Sequence, residues 1–218
     1  MHDTAPRLLA VAHGTASPEG AATTARLVTA IAATRPAIRV DLCFLDVVSP
    51  RLPDALDERP TVVVPLLLST GYHVQTDIPA AVAGLPHVRV ARHLGPHPLL
   101  VDALVDRLGQ GDRGAGSTVL IGAGSSRTEA AAELAATGEL LAERLGRPVT
   151  VLTMADELPP AMAALPRPVE VATYLLAEGQ FVTNLRAAAG GLAIVSDPLG
   201  VHPALVELVW RRYDTALG

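Results

Sequence analysis

The chain has 218 residues, half of them apolar, with 18% charged residues and a net charge of -5. That length and apolar content suffice for one domain or two small ones and exclude a disordered chain. No apolar run approaches the roughly 18 residues a membrane helix requires, and the acidic balance argues against nucleic acid as a partner.

The N-terminus, Met1 to Arg7, lacks the basic-then-apolar layout of a secretory signal, so a cytoplasmic location and no membrane partner are expected. His2 falls in a terminus expected to fray. Arg7–Ala12 is apolar without alternation and reads as a strand buried on both faces. Ser17 then supplies an N-cap and Pro18 a first-turn proline, predicting a helix to about Thr34, closed by Arg35-Pro36. Ile38–Phe44 is a second strand, Pro53–Glu58 a short helix and Thr61–Leu68 a third buried strand. Thr76–Ala83 is helical, His87–Arg92 is a fourth strand and Pro98–Leu108 a helix. Strand-helix-strand repetition implies a parallel sheet with helices on both faces. Cys43, the only cysteine, sits in an apolar strand and reads as a small buried residue rather than a nucleophile.

Gln110 through Gly116, rich in glycine and charge, reads as a linker. Beyond it the order recurs: strands at Thr118–Gly122, Pro148–Met154, Val169–Leu175 and Leu192–Val195 alternate with helices at Arg127–Leu145, Glu157–Ala163, Phe181–Ala189 and Pro203–Ala216. The residues recur too. Leu94-Gly95-Pro96-His97-Pro98 answers to Leu199-Gly200-Val201-His202-Pro203, and Arg107 and Arg212 follow at the same distance. Ala12-His13-Gly14-Thr15 answers to Gly122-Ala123-Gly124-Ser125, and Leu66 through Val74 to Tyr174 through Val182. The expectation is α/β: two similar flavodoxin-like units, 1–110 and 117–218, each a four-stranded parallel sheet flanked by helices, facing across a cleft.

Ligands of open parallel sheets bind outside the carboxyl ends of the strands. His13 follows the first strand and His73 lies just past the third, each beside a glycine, Gly14 or Gly71, that admits a bulky ligand. Adjacent strands are about 5 Å apart, so two imidazoles there can share one divalent ion. In the second copy both positions lose their histidine, to Ala123 and Phe181, as division of labour between the halves would produce. His97 and His202, kept in both copies before a proline, read as N-cap or turn residues. His87 and His93 read as surface or strand-end residues. Thr15, Ser17 and Ser125-Ser126 fit phosphate cradling, but Ser17 and Ser126 fit helix capping equally well, and that reading is preferred. No phosphate-binding glycine motif, nucleophile elbow or histidine-phosphatase signature is present, and no organic cofactor is expected.

Val11-Ala12-His13-Gly14-Thr15, together with Pro65 through Pro79, resembles the sirohydrochlorin chelatases of the CbiX/SirB type in their two-half long form. That family pairs a strand-end H-G with P-x-x-L-x-x-G-x-H-x-x-x-D-I-P; Phe44-Leu45-Asp46 and Pro50 resemble its second strand. The resemblance implies an ATP-independent class II chelatase that inserts a divalent metal into a tetrapyrrole, in siroheme or cobalamin synthesis. The ion is then substrate: Fe²⁺ or Co²⁺, with Ni²⁺ a third candidate, since imidazole suits all three. By the same resemblance His13 binds the metal and accepts pyrrole protons, and His73 is the second ligand. Gly14, Asp46, Thr70, Gly71 and Tyr72 line the macrocycle. Asp46 stands where the family has a longer glutamate, and Ser69-Thr70 where it often has an aromatic residue. Arg51, Arg92 and Arg127 are candidates for the substrate carboxylates by strand-end placement. A monomer suffices to build the cleft, and a homodimer is compatible with it. Two other readings are a non-catalytic metal or tetrapyrrole carrier on the same fold, and an interaction module whose histidines are structural. The last requires His13 and His73 to lie far apart or to be buried against backbone.

Overall fold

The computed structural model describes residues 5–109 and 116–218. His2, and the expected linker up to residue 115, lie outside the described residues. The first half contains β1 (Arg7–Ala12), α1 (Pro18–Thr34), β2 (Val40–Phe44), α2 (Leu52–Ala55), β3 (Thr61–Pro65), α3 (Ile78–Val82), β4 (Val88–Val90) and α4 (Pro98–Leu108). The second contains β5 (Ser117–Gly122), α5 (Thr128–Leu145), β6 (Val149–Thr153), α6 (Leu158–Ala163), β7 (Val169–Tyr174), α7 (Gln180–Ala189), β8 (Ile194–Val195) and α8 (Pro203–Leu217). Each half forms a four-stranded, wholly parallel sheet, in the orders β2-β1-β3-β4 and β6-β5-β7-β8.

The duplicated α/β architecture read from sequence is the one observed, with most strands shorter, β1 as expected and β5 one residue longer. β3 ends at Pro65 rather than Leu68: the proline nitrogen has no hydrogen to give on the β4 side, while the Leu66 amide still reaches the Val11 carbonyl at 2.8 Å. The edge strands β4 and β8 keep only Val88–Val90 and Ile194–Val195. Ser17 caps α1, its side chain accepting from the Gly20 amide. Ser126 does not cap α5: Arg127 occupies the cap position without a side-chain hydrogen bond, and Ser125 Oγ instead accepts from the Arg127 amide. His97 and His202 are N-caps, accepting from the amides of Leu99 and Ala204.

Alternation along the strands sorts the side chains into three cores. Leu8, Ala10 and Ala12 of β1 face a central core shared by both halves, which also takes Leu27, Ile31, Leu104, Leu120, Leu141, Leu205 and Trp210. Leu9 and Val11 face the opposite way, with Cys43, Leu52 and Ile78. Val119 and Ile121 face a third cluster with Leu158, Met162 and Leu185. Each sheet is therefore buried on both faces, which accounts for the unbroken apolar runs. Burial also pushes the Cys43 thiol up to about 12, which makes it a poor nucleophile.

The central layer is built by exchange. α4 packs on β7 and α5 of the second half, while α8 packs on β3, β4 and α1 of the first. The paired arginines of the repeat complete this arrangement. Arg107 of α4 donates to the Leu199 carbonyl (2.8 Å), and Arg212 of α8 donates to the Leu94 carbonyl (2.8 Å). Arg35 and Asp214 add a bidentate ion pair between the halves, at 2.7 and 2.8 Å.

Candidate functional site

Between the sheets, at the carboxyl ends of β1, β3, β5 and β7, lies a cavity of about 680 Å³. This is within the usual range for small-molecule sites, roughly 300–1,000 Å³. Its first wall is built by Ala12–Ala16, Phe44, Val47, Val48, Leu66–Ser69, Gly71, His73 and Val74; its second by Gly122–Ser125, Leu134 and Tyr174–Val182. Among the described residues Glu178 is the one formally charged member of this lining, and its carboxylate is held by Arg186.

His13 is exposed at the end of the central strand β1. Its carbonyl accepts from the Asp46 amide (2.8 Å), which clips the loop after β2 onto the strand end. Gly14 permits this closeness: its φ is +97°, and a Cβ there would lie 2.0 Å from the Asp46 carbonyl oxygen. The residue after Asp46, Val47, takes φ 67°, a left-handed conformation unusual for a β-branched residue, and its side chain lines the cavity half-exposed. Strain of this kind costs about 1–3 kcal/mol and persists where the surroundings impose it.

His73 opens a π-helical turn, His73–Asp77, that runs directly into α3. The expected helix Thr76–Ala83 thus begins three residues earlier, as a wider turn closed by the Ile78 amide on the His73 carbonyl. Single π turns of this kind occur often at functional sites. This one sets His73 Nδ1 2.5 Å from Asp77 Oδ2. The carboxylate accepts the Nδ1 hydrogen, which leaves Nε2 as the lone-pair nitrogen. His13 Nδ1 lies 3.2 Å from the Gly14 carbonyl, which likewise assigns the hydrogen to Nδ1. The two rings meet edge to face with centroids 4.8 Å apart. Among the described residues no cluster of three or more His, Cys, Asp or Glu forms a closed metal cage. An ion on this imidazole pair would therefore keep open coordination positions.

His13, Gly14, Gly71 and His73 share the cavity wall; Asp46, Thr70 and Tyr72 are not part of it. Asp46 Oδ1 accepts from the Val47 amide and pairs with Arg51 (3.2 Å). The Val47 hydrogen bond, then Arg51, His13 and His73, hold its carboxyl below the usual range. Tyr72 is exposed, its ring 6.2 Å from that of His73. Thr70 turns away from the cavity to Glu133 of α5: its amide donates to Oε2 (2.6 Å) and its hydroxyl to Oε1 (3.0 Å). Arg51, Arg92 and Arg127 do not line the cavity. Arg51 is tied to Asp46 and the Leu45 carbonyl, and Arg92 stands 4.0 Å from Glu133.

Of the expected surface or strand-end position for His93, the surface half is corrected: the residue lies shortly past β4 but is buried. Its side chain is 5% exposed, and Nε2 lies 3.1 Å from Thr70 Oγ1 and 3.2 Å from Glu133 Oε1. Burial lowers its pKa, aided by Arg92 and Arg212 and opposed by Glu133. Asp77 and Glu133 are the residues the sequence reading passed over. The i,i+4 spacing of His73 and Asp77 was the available signal for the first; nothing local signals the second, whose partners are 63 and 40 positions away.

Residues 7–111 match the CbiX family model. No curated protein matches the chain in sequence. Among solved structures, the sirohydrochlorin chelatase SirB from Bacillus subtilis subspecies spizizenii, in complex with cobalt, superposes with a TM-score of 0.82 at 21% identity, over 97% of this chain and 95% of that one. SirB from Bacillus subtilis with Fe³⁺ gives 0.81 at 20% identity, with the same coverage. CbiX, described as the terminal enzyme for biosynthesis of siroheme in denitrifying bacteria, gives 0.75 at 24% identity, over 97% of this chain and all of that one. These similarities establish the shared fold.

Proposed function

We propose that the protein, whose residues 7–111 match the CbiX family model, inserts Fe²⁺ or Co²⁺ into sirohydrochlorin. The observation that carries the proposal is the imidazole pair, His13 and His73, set edge to face at 4.8 Å on one wall of an otherwise largely apolar cavity. An interaction module with structural histidines fits poorly, because the two rings converge and each makes its hydrogen bond through Nδ1 rather than Nε2.

The macrocycle lies between the walls. Val47 and the Leu66–Leu68 segment press on one face, and Leu175, Leu176 and Phe181 on the other. Among the described residues no arginine lines the cavity, so the substrate carboxylates extend to its mouth, where water or the rim meets them. The ion is held by the Nε2 atoms of His13 and His73, with remaining positions open to water and then to the ring nitrogens. As the ion passes to the ring, two pyrrole N–H protons leave. The freed imidazole nitrogens accept them, His13 first because it is the more exposed, and return them to solvent. Asp77 keeps the His73 ring in the tautomer that presents Nε2.

Anaerobic metalation of sirohydrochlorin, followed by absorbance with Co²⁺, Fe²⁺ and Ni²⁺, tests this. Wild type accelerates insertion over the spontaneous rate, and His13→Ala and His73→Ala each abolish the acceleration. Tetrapyrrole binding without acceleration would convert the reading to a carrier; absence of binding would remove it.

A further inference from the structure

The side of the cleft that carries His73 has a polar clasp which its repeat partner lacks. Glu133, on α5 of the second half, accepts two hydrogen bonds from Thr70 of the first, at 2.6 and 3.0 Å, three residues ahead of His73. His93 closes the cluster from beneath, 3.2 Å from Glu133 and 3.1 Å from Thr70. The Glu133 side chain is only 17% exposed. Burying a carboxylate is unfavourable unless its partners compensate, and an apolar residue of similar size generally serves stability as well or better. Stability alone therefore does not account for a glutamate here.

The repeat supplies an internal control. At the offsets of the matching motifs, Glu133 answers to Thr23, His93 to Pro198 and Thr70 to Glu178. Thr23 donates its hydroxyl to the Glu19 carbonyl within its own helix, and the Glu178 carboxylate pairs with Arg186. No clasp forms there, and the loop it would hold carries Phe181 in place of an imidazole. The scaffold is duplicated, while the clasp exists only where a histidine must be aimed.

We propose that Glu133 is a positioning residue: from the half without site histidines it fixes the Thr70-Gly71-Tyr72 segment, and thereby the placement of His73 against His13. The inference rests on the metal-site reading above. It predicts that loss of Glu133 weakens the ion site while the fold persists.

The test is Co²⁺ binding to the full chain, by titration calorimetry and by the visible absorption of bound Co²⁺, for wild type, Glu133→Ala, Glu133→Gln and Thr70→Val. Arg35→Ala, which breaks the remote ion pair with Asp214, serves as a stability control. Outer partners of metal ligands typically contribute 10–100-fold in affinity, so Glu133→Ala is expected to weaken Co²⁺ binding about 10-fold and alter the spectrum. Glu133→Gln, which keeps a carbonyl acceptor for the Thr70 amide, recovers part of the loss, and Thr70→Val loses less than Glu133→Ala. Arg35→Ala lowers Tm with Co²⁺ affinity unchanged. Wild-type affinity and spectrum in folded Glu133→Ala overturn the proposal, as does a loss no larger than that of Arg35→Ala at equal Tm. Should Glu133→Ala not fold, unchanged binding in both Glu133→Gln and Thr70→Val overturns it. A wild type that binds Co²⁺ but does not metalate sirohydrochlorin removes the chelatase reading and leaves the positioning role standing.

Discussion

At the residue scale, the site depends on side chains that touch the histidines rather than on the histidines alone. Asp77→Asn keeps the size of the side chain but removes the charge that orders the His73 ring. A 10–100-fold loss of Co²⁺ affinity is expected, with little change in Tm, readable by titration beside a melting curve. Unchanged affinity would mean that the π turn alone orients the ring. The other residue to titrate is His93, which faces Glu133, Arg92 and Arg212. Its pKa is lowered in the folded protein, chiefly by burial, so the unfolded chain binds more protons in the window below the ordinary 6.5. Stability is therefore full above that value and falls as pH drops through the folded-state pKa. His93→Gln should show a shallower loss of Tm between neutral and mildly acid pH; a parallel decline in both proteins would assign the loss to other groups. The sequence disclosed His13 and His73 because each stands at a strand end beside a glycine. It did not disclose His93, because strand-end position says nothing about what a distant helix lays over it.

At the element scale, the decisive junction is the strand end of β1 under the loop that follows β2. Gly14 is pinned there by both its φ and the space available, with the Asp46 carbonyl where a Cβ would go. Gly14→Ala is expected to cost about 2 kcal/mol or more, as a residue forced into an unfavourable φ with a backbone clash added. Urea unfolding measures the cost, and Co²⁺ binding should fall with it as His13 shifts. Wild-type stability would show that the loop relaxes freely. Helix extents were legible at this scale: α1 runs Pro18–Thr34 and α4 Pro98–Leu108, because cap residues and prolines mark their ends locally. Strand ends were less legible. An apolar run such as Thr61–Leu68 continues past the last paired residue, Pro65, into the cavity wall, so one hydrophobic run serves both sheet and cavity.

At the scale of the whole molecule, the duplication was legible because Leu94-Gly95-Pro96-His97-Pro98 recurs nearly unaltered at Leu199–Pro203 and the strand-helix order repeats around it. The exchange of α4 and α8 was not, since identical repeats are compatible with each helix packing on its own sheet or on the other. The exchange makes neither half self-sufficient: without α8, β3 loses its cover from the central layer. Residues 1–109 and 116–218, expressed as separate chains, should each be unstable alone yet form a tight one-to-one complex when coexpressed, seen by size-exclusion chromatography. Stable monomeric halves would contradict the packing. The same near-symmetry has a stereochemical consequence. Both imidazoles stand on one wall, while their counterparts opposite are Ala123 and Phe181. The cleft therefore has a face with imidazoles and a face without them, and under the proposed function a ring lying in it would receive the ion from one side only. A macrocycle whose two faces are inequivalent would then have a single productive orientation. The broken symmetry of the repeat would become facial selectivity.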